Sequence, residues 1–137
     1  MADNMAAGAV TGPVRLLLRL EGLALLIAAL LFYARLDESW WMFAILFLVP
    51  DLSMLAYLAD PKLGADTYNA AHSTIGAIVV VTLGIVTGWD WLAAVGLIWA
   101  AHAGIDRALG FGLKYPSAFT DTHLGSIGRL MGKGQGA

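Results

Sequence analysis

The sequence predicts an all-α protein: a four-transmembrane-helix antiparallel bundle with both termini cytoplasmic. Three observations lead there. Of the 137 residues, 59% are apolar and 13% charged, against a charged share of roughly 25% in soluble domains. The apolar residues fall in runs close to the length of about 20 that crosses a bilayer. Finally, the basic residues gather on one side of these runs. A net charge of −2 and the lack of cysteine exclude a nucleic-acid binder and a disulfide-stapled secreted domain. The apolar content excludes a disordered chain.

The expected organisation is a flexible N-terminal segment over 1–13, the bundle over 14–110 and a cytoplasmic tail over 111–137 that caps it. The first span runs from Val14 to Arg35, a Leu- and Ala-rich run interrupted by one carboxylate, Glu21. That carboxylate, with no small-residue cleavage site after it, argues against a signal peptide. After the link Leu36–Ser39, the interfacial pair Trp40 and Trp41 opens a second span that ends near Leu58, where Asp60 and Pro61 stop it. A third span is expected from Asp66 to Thr87. Gly88 and Asp90 mark the turn into a fourth, Trp91 to Leu109, which Gly110 and Gly112 break. The remainder, with Pro116, Asp121, His123, Arg129 and Lys133, is too polar for a fifth.

Four spans put both termini on one side. Arg15, Arg19, Lys62, Arg107, Lys114, Arg129 and Lys133 then share that side, and Arg35 alone falls on the other. The positive-inside rule makes the shared side the cytoplasm. In a bacterium the membrane would be the inner one.

An ionisable residue inside a span costs roughly 2.5–3.5 kcal/mol on insertion scales, so each needs a partner, water or a function. Glu21, Asp51, His72 and His102 each lie about six or seven residues, or about 10 Å, from the cytoplasmic end of their span. One titratable group per helix at one depth points to a shared site. The stripe Asn69, His72, Gly76 and the stripe Trp91, Val95, Trp99, His102, Asp106 would face it, with Trp99 and Trp91 as an aromatic roof. Asp106, one turn from His102, would hold that imidazole in one tautomer. Candidate catalytic residues are therefore Glu21, Asp51, His102 and Asp106. Candidate metal ligands are His72, His102, Glu21 and Asp51, a nitrogen and oxygen set suited to a divalent ion such as zinc. Asn69, Trp99, Lys114 and His123 would line the pocket. The plainer alternative is a polar network that only bonds helices together.

Gly96, Ala100 and Gly104 form a small-residue ridge on the fourth span, facing away from His102, and offer a surface for another helix or a second copy of the chain. In the tail, Lys114 to His123 would cap the pocket, with Lys114 placed to meet a phosphate or lipid head group.

The strings Tyr68-Asn69-Ala70-Ala71-His72, His102-Ala103-Gly104-Ile105-Asp106-Arg107, Gly112-Leu113-Lys114-Tyr115 and Thr122-His123-Leu124-Gly125 make the chain resemble a bacterial family of small four-helix membrane proteins, domain of unknown function 4260. The resemblance covers roughly 14–125. It implies a helical membrane protein and brings no catalytic residues. H-E-x-x-H, G-x-S-x-G and phosphate-cradling glycine loops are absent, and no motif of membrane metallohydrolases or sterol-isomerase-like bundles is found.

Three functions fit. One is metal-assisted or acid-base chemistry on an amphipathic, lipid-like substrate from the cytoplasmic leaflet. The second is an oligomeric proton- or cation-coupled transport or binding protein. The third is a purely structural membrane protein. Membrane lipids are the expected partners of each, and nucleic acid is not.

Overall fold

The structure, a computed structural model, describes residues 12–111 and the backbone of 121–122 and 125–126. Its elements are α1 (Gly12–Arg35), α2 (Trp40–Phe47), a 3-10 helix (Val49–Leu58), α3 (Pro61–His72), α4 (Thr74–Thr87) and α5 (Asp90–Leu109). Asp121–Thr122 and Gly125–Ser126 form a two-residue antiparallel pairing in the tail. Four helical segments, Gly12–Arg35, Trp40–Leu58, Pro61–Thr87 and Asp90–Leu109, are long and apolar enough to cross a membrane. Their outer faces carry exposed large apolar side chains such as Leu31, Ile45, Leu58, Ile75 and Val86, as expected where the surrounding solvent is hydrocarbon.

Helix α5 is the centre of the molecule. Its run from Ala93 to Gly104 is almost wholly buried, and α1, α2 and α4 pack around it. Small residues make this possible. A Cβ on Gly22 of α1 would lie 2.8 Å from the Gly104 carbonyl oxygen, and one on Gly104 would lie 2.7 Å from the Gly22 carbonyl oxygen. The two helices thus meet backbone to backbone. Gly96 is buried against Val81 and Ala77 of α4, and Gly84 of α4 against Ala93. The ridge expected to serve homo-oligomers through Gly96, Ala100 and Gly104 is therefore taken up inside the chain. Apolar packing gives no preference between helices in lipid, so small residues settle on whichever neighbour fits closest.

The ends of the helices follow from local chemistry. Gly88 closes α4 at φ 73°, a left-handed conformation open to glycine. The Trp89 amide then reaches the Gly84 carbonyl at 2.9 Å, leaving a short turn into α5. Asp60 caps α3 by accepting from the Leu63 amide at 2.9 Å, with Pro61 in the first turn. The third span thus starts at Pro61 rather than Asp66.

Two of the four spans leave α geometry midway. In the third, Ser73 is extended (φ −75°, ψ 141°) and its hydroxyl accepts from the Ile75 amide at 3.2 Å, ending α3 and capping α4. In the second, Pro50 lacks the amide that would continue α2, and the chain tightens to three residues per turn. The exposed residues then recur at every third position, Leu52, Leu55 and Leu58. Asp51, Met54 and Tyr57 form a neighbouring, half-buried row.

At the opposite end, Tyr33 is fully buried and donates to the Ser39 carbonyl at 2.6 Å. Its ring packs on Trp40 and Phe43, and Phe43 stacks on Phe47. This aromatic row runs from the α1–α2 link to His102, whose ring centroid lies 5.0 Å from that of Phe47.

Candidate metal centre

Both breaks deliver a site residue. Asp51 follows Pro50 at the head of the 3-10 helix, and His72 is the last residue of α3. His102 and Asp106, four residues apart, project from the same side of α5. The four side chains converge. His72 Nε2 and His102 Nε2 are 3.0 Å apart. Asp51 Oδ1 lies 3.2 Å from each of these nitrogens, and Asp106 Oδ2 lies 3.3 Å from each. Ligand atoms from all four residues fall within 4.8 Å of one another. The histidine side chains are 3% exposed, Asp106 18% and Asp51 39%, so the centre is reached past Asp51.

The other ring nitrogens decide what these atoms are. His72 Nδ1 lies 2.9 Å from the Tyr68 carbonyl oxygen, and His102 Nδ1 lies 2.5 Å from that of Phe47. A carbonyl only accepts, so each Nδ1 carries the proton and donates. In neutral imidazole each Nε2 then presents a lone pair. Two nitrogen lone pairs and two carboxylate oxygens consequently face a single point, a donor set suited to a bound divalent cation. Five of the six separations among these ligand atoms are 3.0–3.3 Å, close to the roughly 3.3 Å between corners around a tetrahedral ion bonded at about 2.0 Å, the bond length of zinc to imidazole and carboxylate. Two Asp and two neutral His would also balance a divalent charge, which favours burial.

The Phe47 carbonyl is available to His102 because of Pro50. In 3-10 geometry the partner of that carbonyl would be the amide of residue 50, which proline lacks. In α geometry it would be the Asp51 amide, which bonds the Leu48 carbonyl at 3.2 Å instead. Pro50→Ala supplies a competing donor. It should weaken metal affinity about 10- to 100-fold, the usual effect of disturbing a ligand's supporting bond. Competition titration against a chelator, with helical content unchanged by circular dichroism, measures it.

His72 is held further by Tyr68, stacked on its ring at a centroid distance of 3.7 Å. Trp99 Nε1 donates to the Ala71 carbonyl, fixing the indole beside the same break. Trp99 also lines a cavity of about 260 Å³ with Leu46, Val49, Pro50, Ala71 and Ile98.

Several expectations need correction. Glu21 is exposed and lies apart from the cluster. α1 turns Gly22, Ala29 and Tyr33 toward the core, and a neighbour one residue off that stripe is rotated about 100° away. Asp106 Oδ2 lies 3.3 Å from Nε2 of both histidines, whereas the tautomer it was expected to hold in His102 is set at Nδ1 by a backbone carbonyl. Trp91 is 55% exposed and stacks on Trp89, so it roofs nothing. Asn69 is half-buried on α3. Lys114 and His123 lie outside the described residues. Sequence reasoning missed Phe47 and Tyr68 as supports; Pro50 immediately before Asp51 was the available signal for the first.

The fold and the cluster define a class, an all-helical chain of membrane-spanning character with a buried two-histidine, two-aspartate centre. The chain belongs to the family described as Domain of unknown function (DUF4260), whose model matches residues 15–127. No curated protein and no solved structure matches it.

Proposed function

We propose that this protein is a membrane metalloenzyme in which Asp51, His72, His102 and Asp106 hold a zinc-class divalent ion for hydrolysis of an amphipathic, lipid-like substrate. The observation that carries the reading is the convergence of two carboxylates with two imidazoles whose Nδ1 atoms donate to backbone carbonyls. An ion of this class lowers the pKa of bound water and polarises a carbonyl or phosphoryl oxygen. The chain contributes the rest. Phe47 and Tyr68 aim the imidazoles, the second carboxylate oxygen of Asp51 accepts a proton on the exposed side, and the apolar cavity receives the hydrocarbon part of the substrate.

The spans are proposed to run antiparallel with both termini cytoplasmic, on the bias of seven basic residues against Arg35. Arg107 after Asp106 and Lys62 near the start of α3 fit that side. The site then lies in the cytoplasmic leaflet, of the inner membrane if the source is bacterial.

Metal analysis of the full chain, purified in detergent without added metal, tests the reading. About one equivalent is expected in the wild type. Asp51→Asn and Asp106→Asn should each reduce occupancy, while Glu21→Gln should not. A folded wild type that takes up no metal on titration overturns it. One observation favours cation transport as a second reading: two spans break at the site, as discontinuous helices do in transporters. Metal flux into liposomes by the purified protein would select it over hydrolysis.

A further inference from the structure

The cavity beside the cluster has a composition, a size and a position that together select an occupant. Among the described residues its walls are Leu46, Val49, Pro50, Ala71, Val95, Ile98 and Trp99, with Ser53 contributing a hydroxyl. That hydroxyl donates to the Pro50 carbonyl at 2.7 Å, and the Trp99 N–H is bonded to the Ala71 carbonyl. Those donors are already used within the chain, so the cavity suits hydrocarbon. At about 260 Å³ it falls below the roughly 300–1,000 Å³ of pockets for bulkier ligands, which suits one chain rather than two chains or a fused ring system.

Position gives the direction. Val95, Ile98 and Trp99 precede His102 on α5, so the cavity extends up to about 10 Å from the cluster toward the middle of the span. His102 and Asp106 lie nearer the Leu109 end. An amphiphile entering from that leaflet, head toward the surface and tail toward the bilayer centre, would bring its head to the cluster and its chain into the cavity. Ile45, Leu48 and Leu52, each next in sequence to a lining residue, are exposed, so the outer surface of that segment is apolar.

Charge selects the head. Two aspartates balance a divalent ion, and Arg107 acts electrostatically on Asp106 and Tyr68 at the same end of α5. Among the described residues Arg19 adds a second guanidinium at that end, donating to the Ala108 carbonyl at 3.0 Å. We infer that the cavity binds the alkyl chain of a single-chain amphiphile whose anionic head, a phosphate or a carboxylate, sits at the metal centre. This rests on the metal reading above and names the substrate class for it.

Photolabelling of the full chain in detergent, with mid-chain diazirine probes, tests the inference. Three heads are compared: a fatty acid, an alkyl phosphate and a neutral alkyl alcohol. Saturable adducts are expected on the segments 46–53 and 95–99, for at least one anionic probe. The neutral probe should label them at least about tenfold less, the factor that 1.4 kcal/mol of head-group attraction gives. Whichever anionic probe labels better identifies the head. Val95→Phe, and independently Ala71→Leu, should cut the saturable adducts with metal content unchanged. Adducts spread without saturation over the exposed Leu31, Leu55 and Leu58, or equal labelling by the neutral probe, would overturn the inference while leaving a measured metal in place. Saturable cavity labelling by an anionic probe in a protein that takes up no metal would instead overturn the metal reading and keep the chain site.

Discussion

Stripping the ion from the wild-type protein with a strong chelator should lower its thermal midpoint in detergent by about 10 °C or more. An ion present at 1,000 times its Kd contributes about 4 kcal/mol to the folded state, and roughly 1 kcal/mol corresponds to several degrees for a chain of this size. The same treatment of His72→Ala with His102→Ala should shift the midpoint little, because no site remains to lose. Their contrast separates a metal centre from a polar network that merely bonds helices. A network without an ion would lose stability in the double variant yet give no chelator effect in the wild type. Re-addition of zinc should restore the wild-type midpoint and leave the variant unchanged. Ligand protonation opposes metal binding, so the protein's zinc affinity, corrected for protonation of the chelator, should fall as the solution is acidified.

The second large effect is expected at the contact of α1 with α5. Gly104→Leu places a side chain against the Gly22 carbonyl and the Leu26 amide, with the first Cβ already 2.7 and 2.8 Å from them. These are backbone atoms of a rigid helix, so no rotamer change makes room. The cost should lie at or beyond the upper end of the roughly 1–3 kcal/mol usual for overpacking. α5 carries His102 and Asp106 on the turns flanking Gly104, so metal binding should fall together with stability. Ala70→Leu, on an exposed position of α3, should leave both unchanged. Reversible denaturation in mixed micelles, with metal content measured on the same samples, provides the comparison.

Much of this arrangement was legible in the residues. The spans could be read because hydrocarbon solvation demands long apolar runs, and Asp60–Pro61, Gly88 and Gly110 end helices by local backbone chemistry. Asp51, His72 and His102 could be grouped as buried polar residues, but their depths were misjudged: the third span starts at Pro61, which makes His72 the twelfth residue of α3, and Asp51 stands on a 3-10 helix with a longer rise. Rotation about the axis was no firmer an inference. Glu21 was grouped with the others by depth, but which stripe of α1 faces inward depends on where Gly22 and Gly104 fit together, a property of two helices at once. The same holds for the Gly96 ridge, which a sequence presents equally to a partner helix and to a partner chain. The interruption at Ser73 follows from a side chain that caps the next helix, and a single serine amid alanine, threonine and isoleucine does not announce it. Asp106 was recognised as a companion of His102, but not its contact with His72, the residue at which α3 ends within the third span.

The 3-10 helix also bears on how this chain matches the thickness of a bilayer. The 24 residues of α1 extend about 36 Å at 1.5 Å per residue. The second segment, Trp40–Leu58, has 19, which as a continuous α-helix would reach only about 28 Å. With eight residues in α2 and ten in the 3-10 helix, whose rise is about 2.0 Å, it reaches more than about 30 Å. Tightening the coil thus lengthens the rod, and a segment five residues shorter than its neighbour comes within a few ångströms of the same hydrophobic depth without thinning the surrounding lipid.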